Sequence, residues 1–125
     1  MDNKPASWQT AEQEAAEWFL NHYSAVLLAR NLRFKQGELD LIFEQVLPNE
    51  TIELVFIEVR TRSLNSWVSA VESVTFAKQP KLSRAVRLFL ARYRGPAKSI
   101  RMDILARDGA TWTHIRNIGL GSDRY

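Results

Sequence analysis

The sequence predicts an α/β domain with the element order αβββαββ, a mixed central sheet flanked by helices, and three observations carry that reading. Two stretches repeat apolar residues at helical spacing, and one uninterrupted apolar run, Leu54 to Ile57, reads as a buried strand. Turn signals at Pro48, Asn49 and Glu50, and again at Asp108 and Gly109, set further short strands side by side. At 125 residues the chain has the size of one domain, with residues 1–9 and 119–125 expected to be loose.

The first helix is expected from about Thr10 to Tyr23, where Ala15, Ala16, Phe19, Leu20 and Tyr23 recur on one side. Thr10 reads as its N-cap, Gln13 completes a capping box, and the early Glu residues suit the helix dipole. Ala25 to Leu28 and Leu32 to Phe34 are short strand candidates interrupted by Arg30 and Asn31, with a turn at Gln36 and Gly37. Glu38 to Phe43 follows, alternating Leu39, Leu41 and Phe43 against Glu38, Asp40 and Ile42. The break at Pro48 to Glu50 folds this strand back on Leu54 to Arg62 as a hairpin, bringing residues near 40 close to residues near 58.

A polar connection, Leu64 to Ser73, carries Trp67. The second helix spans about Thr75 to Arg94, regular from residue 79 because Pro80 fits only a first turn, and Gly95 with Pro96 stops it. Its apolar stripe is Leu82, Ala85, Val86, Phe89, Leu90 and Tyr93. Two strands, Ser99 to Ala106 and Thr111 to Ile118, close the domain.

Composition narrows the chemistry. With no cysteine, the chain forms no disulfide, zinc thiolate or thiol nucleophile. A polar start without an apolar signal core, and no run near the length of a membrane span, lead us to expect a cytoplasmic protein with no membrane partner. Charge is uneven: residues 1–74 carry 6 basic and 11 acidic side chains, residues 75–125 carry 11 and 3. The basic half suits an anionic polymer while the acidic half collects a cation, although a solvated helix face rich in Lys and Arg has the same composition.

On the central hairpin, Glu58 and Arg60 share one face of their strand with Phe56, and Asp40 is brought beside them. Two carboxylates on neighbouring strands can hold a hard divalent cation, which activates water and neutralises phosphodiester charge. The same spacing also describes a cross-strand salt bridge, and spacing alone leaves the two readings open.

The paired motifs Gly37-Glu38-Leu39-Asp40-Leu41-Ile42 and Leu54-Val55-Phe56-Ile57-Glu58-Val59-Arg60-Thr61-Arg62 resemble the signature of the YraN family of bacterial predicted endonucleases. The likeness extends to Leu28 to Asn31, to Val74, Thr75, Lys78, Gln79, Lys81 and Leu82, and to Arg101 to Ile104. The resemblance implies a restriction-endonuclease-like core, similar to archaeal Holliday-junction resolvases. It implies a phosphodiesterase that uses magnesium or manganese on structured DNA, in preference to RNA. Asp40 and Glu58 would be metal ligands, with the Val59 carbonyl a third, and Arg60 stands where such nucleases carry Lys. Arg60 can bind phosphate with two parallel hydrogen bonds, but it keeps its proton and so is no general base. Gln13 takes the catalytic-helix position where relatives have Glu, flanked by Glu12 and Glu14, and Val68 replaces a Gly after Trp67. A catalytically impaired nucleic-acid-binding module of the same fold is the alternative. By analogy, chemistry on two strands admits a homodimer.

Lys78 and Gln79, with Lys81 and Arg84 on the same helix, are candidate nucleic-acid contacts at a positive helix start, where an ordinary helix entry is the plainer account. His22 and His114 have no partner at ligand spacing and read as surface or core residues. Asp103 belongs either to the site or to a pair with an Arg, and among Trp8, Trp18, Trp67 and Trp112 only Trp67 lies in a connection where it could stack on bases.

Overall fold

The computed structural model describes residues 6–35, 37–62 and 79–118, with side chains from residue 11 onward except those of residues 62 and 79–81. The elements run α1 (Ala6–His22), β1 (Ala25–Phe34), β2 (Gly37–Val46), β3 (Ile52–Arg62), α2 (Gln79–Arg92), β4 (Ser99–Asp108) and β5 (Thr111–Ile115), in the expected order. They form a mixed five-stranded sheet in which the spatial order repeats the chain order. β1, β2 and β3 form an antiparallel meander, β4 lies parallel to β3, and β5 returns antiparallel to β4. A parallel neighbour demands a long crossover, and α2 lies within that connection.

Alternation along β3 separates two cores. Val55, Ile57 and Val59 pack with Ala15, Ala16 and Phe19 of α1, whereas Leu54 and Phe56 pack with Leu82, Ala85 and Val86 of α2. A strand buried on both faces reads as a continuous apolar run, which is why Leu54 to Ile57 showed no period. Glu58 and Arg60 inherit the α2 face from Phe56, as alternation requires.

Several boundaries differ from expectation: α2 ends at Arg92 rather than Arg94, β3 begins at Ile52, and β2 and β4 run on to Val46 and Asp108. α1 starts at Ala6 because nothing between Ala6 and Gln9 stops a helix, so the Thr10 cap is bypassed. The two short strand candidates are one strand, β1, since pairing with β2 carries the backbone through Arg30 and Asn31. It does so with a bulge at Leu28, where the register changes between Leu27↔Phe43 and Ala29↔Ile42, and with a left-handed Asn31 (φ 54°). β5 ends at Ile115, not at Ile118. Thr75 to Lys78 and Trp67 lie outside the described residues. No described helix is long and apolar enough to cross a membrane.

Candidate active site

The central feature is a fork in the sheet. β2 and β3 pair from Val46↔Ile52 up to Leu41↔Ile57 and no further, although both strands continue. Beyond that rung β3 stays with β4, through Glu58↔Ile104 and Arg60↔Ala106, while β2 stays with β1, through Leu39↔Leu32. Asp40 and Glu58 are therefore the first residues past the split. Strict alternation also fails there: Leu41 packs on the α1 side, but Leu39 joins Ile42 on the α2 side. The slip between them frees Asp40 from an ordinary cross-strand position.

Asp40 uses that freedom to cap the separating strand. Its Oδ2 accepts a hydrogen bond from the Val59 amide at 2.9 Å, supplying the acceptor that the lost ladder no longer provides. Glu58 is 5% exposed, and its Oε1 accepts from Arg60 Nη2 at 2.7 Å. Burial pushes the Asp40 carboxyl up to about 7, helped by the nearby Glu58, Glu12 and Glu38 carboxylates and opposed by the Val59 amide.

The donors at the fork are carboxylate oxygens, with neither sulfur nor imidazole, and that chemistry fits a hard cation such as magnesium or manganese. Among the described residues no three His, Cys, Asp or Glu side chains are grouped to hold a metal. An ion at Asp40 and Glu58 would draw its other oxygens from water, backbone or phosphate, as magnesium commonly does.

The remaining predicted residues scatter. Gln13 is exposed and donates to Glu17 Oε2 at 3.3 Å; it is Glu12, one residue back, whose charge reaches Asp40. Glu14 pairs with Arg107 at 3.0 Å. Arg84 is exposed on α2, Gln79 and Lys81 lie in its first turn without described side chains, and Lys78 lies outside the described residues.

A second polar cluster lies on the α1 side of the sheet and reaches from Glu53 up to Asp103, which is level with Ile57, the residue before Glu58. Arg101 donates to Asp103 Oδ1 at 2.9 Å, to Glu53 at 2.8 Å and to Gln45 at 2.8 Å. Asp103, fully buried, also accepts from the Asn117 amide and from His114 Nε2, each at 2.8 Å, and the Tyr23 hydroxyl lies 3.0 Å from His114 Nδ1. Asp103 thus pairs with an Arg rather than with Asp40 or Glu58, and His114 is held by it. Sequence spacing hid this because the partners span Tyr23 to Asn117. An open cleft of about 490 Å³ lies beside the cluster, lined by Glu53, Ile100, Arg101, Arg116 and Asn117, but its Arg101 is already committed to three partners.

The family model described as uncharacterised protein family UPF0102 matches residues 11–106, which spans the fork and both cores. A UPF0102 protein of Symbiobacterium thermophilum is 39% identical over 97 residues, covering 78% of this chain and 77% of its own. Relatives from Herminiimonas arsenicoxydans (37% over 109 residues, 87% and 82% covered) and Haemophilus influenzae (38% over 96 residues, 75% and 76% covered) carry the same family name. Asp40 and Glu58 both fall within the matched span, and the chain belongs to UPF0102, the YraN family that its paired motifs resemble.

Proposed function

We propose that this chain is a nuclease-like nucleic-acid-binding protein that hydrolyses phosphodiester bonds in structured DNA with magnesium or manganese, on a restriction-endonuclease-like core. The observation that carries the reading is the fork itself. A buried carboxylate, Glu58, and a half-buried one, Asp40, stand at the first positions past a split in the sheet, and Asp40 is fixed through the Val59 amide and pushed up to about 7. Neighbouring carboxylates repel one another, and a cation between them relieves that repulsion.

Asp40 and Glu58 hold the ion, with the Val59 carbonyl as a third oxygen, and their elements are rigid strands already ordered by two cores. A divalent ion there supplies charge neutralisation and an acidified water. Arg60, on the α2 face beside Glu58, binds a phosphate oxygen and offsets the charge that develops on it. It retains its proton throughout, so the proton of the attacking water leaves by another route. The cations on α2, Arg84 and Arg87 among them, fix the DNA backbone without reading sequence.

A second reading has its own observation. Arg60 sits 2.7 Å from Glu58 Oε1, so a built-in cation already answers one carboxylate, and a module of the same fold that binds DNA without cutting it follows. The test is incubation with four-way, flapped and single-stranded DNA in magnesium or manganese, beside Asp40→Ala. Cutting by the wild type alone supports hydrolysis, binding without cutting supports the second reading, and equal cutting by the variant refutes a role for Asp40.

A further inference from the structure

Asn31 is an ordinary-looking residue in the polar interruption of β1, and three independent observations single it out. The register pairs Arg30 with Leu41 and Leu32 with Leu39, which places Asn31 between those rungs on the same stretch of the β1–β2 pair as Asp40. The backbone of Asn31 is left-handed, with φ 54°, a conformation that Asn tolerates better than most side chains. Its side-chain Oδ1 is buried and accepts no hydrogen bond. Orphaned buried carbonyl oxygens are rare, and each calls for a cause such as an unseen ion or water.

The left-handed turn alone would explain an Asn, but Gly would serve such a turn better. The buried oxygen needs a separate account. Hard cations accept amide oxygens as readily as they accept water, and two carboxylates leave most of a magnesium shell to be filled.

We propose that Asn31 Oδ1 is a further oxygen ligand of the divalent cation at Asp40 and Glu58, contributed by β1 across the fork. This rests on the cation reading of the fork. Asn31 then closes the site from the strand opposite β3, so that the ion ties β1, β2 and β3 together where the sheet splits.

The test measures manganese binding to the full chain without DNA, by calorimetry and by the electron paramagnetic resonance of free ion, for wild type, Asp40→Ala, Asn31→Gly and Asn31→Asp. Asn31→Gly keeps the left-handed backbone and removes the oxygen; Asn31→Asp keeps the oxygen and adds charge. Wild type should bind and Asp40→Ala should not. Asn31→Gly should weaken binding about tenfold, the size of effect that supporting groups exert on metal sites. Asn31→Asp should tighten it by a similar factor, because affinity rises with ligand charge. If Asn31→Gly binds as the wild type does while Asp40→Ala fails, the inference is overturned and the cation reading stands. If Asn31→Gly does not fold, Asn31→Asp decides, and affinity equal to or below wild type overturns the inference. If the wild type binds no better than Asp40→Ala, both fall.

Discussion

Asp40 and Asp103 are both aspartates on interior strands, yet their surroundings move their acidities in opposite directions. Burial, with Glu58, Glu12 and Glu38 close by, raises Asp40 from 3.8 to about 7. The folded chain therefore binds more protons than the unfolded one between those values. Below about pH 3.8 both states are protonated and Asp40 costs nothing; the cost grows as pH rises and is complete above 7. Asp40→Asn should then stabilise the metal-free protein by about 1–2 kcal/mol at pH 8, allowing for solvent access, and by nearly nothing at pH 4, in urea denaturation. If an ion is held there, manganese affinity should climb as pH rises toward 7 and level off above it, because binding would displace the Asp40 proton. Burial would raise Asp103 too, but hydrogen bonds from His114, Arg101 and the Asn117 amide hold it below its ordinary value. Its stabilisation is present above the ordinary carboxylate range and is lost as pH falls through the lowered value. Asp103→Asn should cost about 3 kcal/mol at neutral pH by stranding Arg101, read in urea denaturation.

At the scale of elements, α2 shows how a helix end is fixed by contacts that no local pattern announces. The stop at Gly95 and Pro96 was legible, but the Tyr93 hydroxyl donates to Glu44 of β2 at 2.5 Å and accepts from the Ala97 amide at 3.0 Å. A Cβ on Gly95 would run into that hydroxyl and into Glu44, so Gly95→Ala should force Tyr93 off both partners. We expect roughly 1–3 kcal/mol of destabilisation, read as a lower Tm, with Tyr93→Phe relieving part of the penalty in the double variant. Existence and order of elements could be read because helix stripes and a doubly buried strand follow from single-element periods. The Asp40 and Glu58 pair could be read for the same reason, since a short hairpin must bring them together. The continuity of β1 could not, because Arg30 and Asn31 are carried by β2 hydrogen bonds and not by their own propensity. Nor could the fork, which depends on Leu39 slipping to the other core, or the placing of Glu12 in preference to Gln13.

Across the whole molecule, α2 packs its apolar side on β1 and β2 of the acidic half and keeps its basic side exposed. Asp40 and Glu58 meet at the fork, Glu53 and Glu44 being held by Arg101 and Tyr93, while exposed Arg84, Arg87, Arg92 and Arg94 run along and just past α2. Because α2 packs on the face that carries Phe56, and Glu58 and Arg60 extend that face, its basic surface flanks the side of the sheet from which Arg60 projects. Duplex DNA lying along α2 would release one condensed counterion for nearly every phosphate neutralised, so log affinity should fall linearly with log salt. Arg84→Ala with Arg87→Ala should weaken binding to all DNA structures alike and flatten that slope by about two. Asp40→Asn should leave the slope intact while abolishing any cutting, since it touches the ion and not the backbone track. A salt titration of wild type and both variants on one branched DNA therefore separates the two halves: if the α2 variant keeps the full slope, the basic half is a solvated surface, and the DNA must be sought on another face.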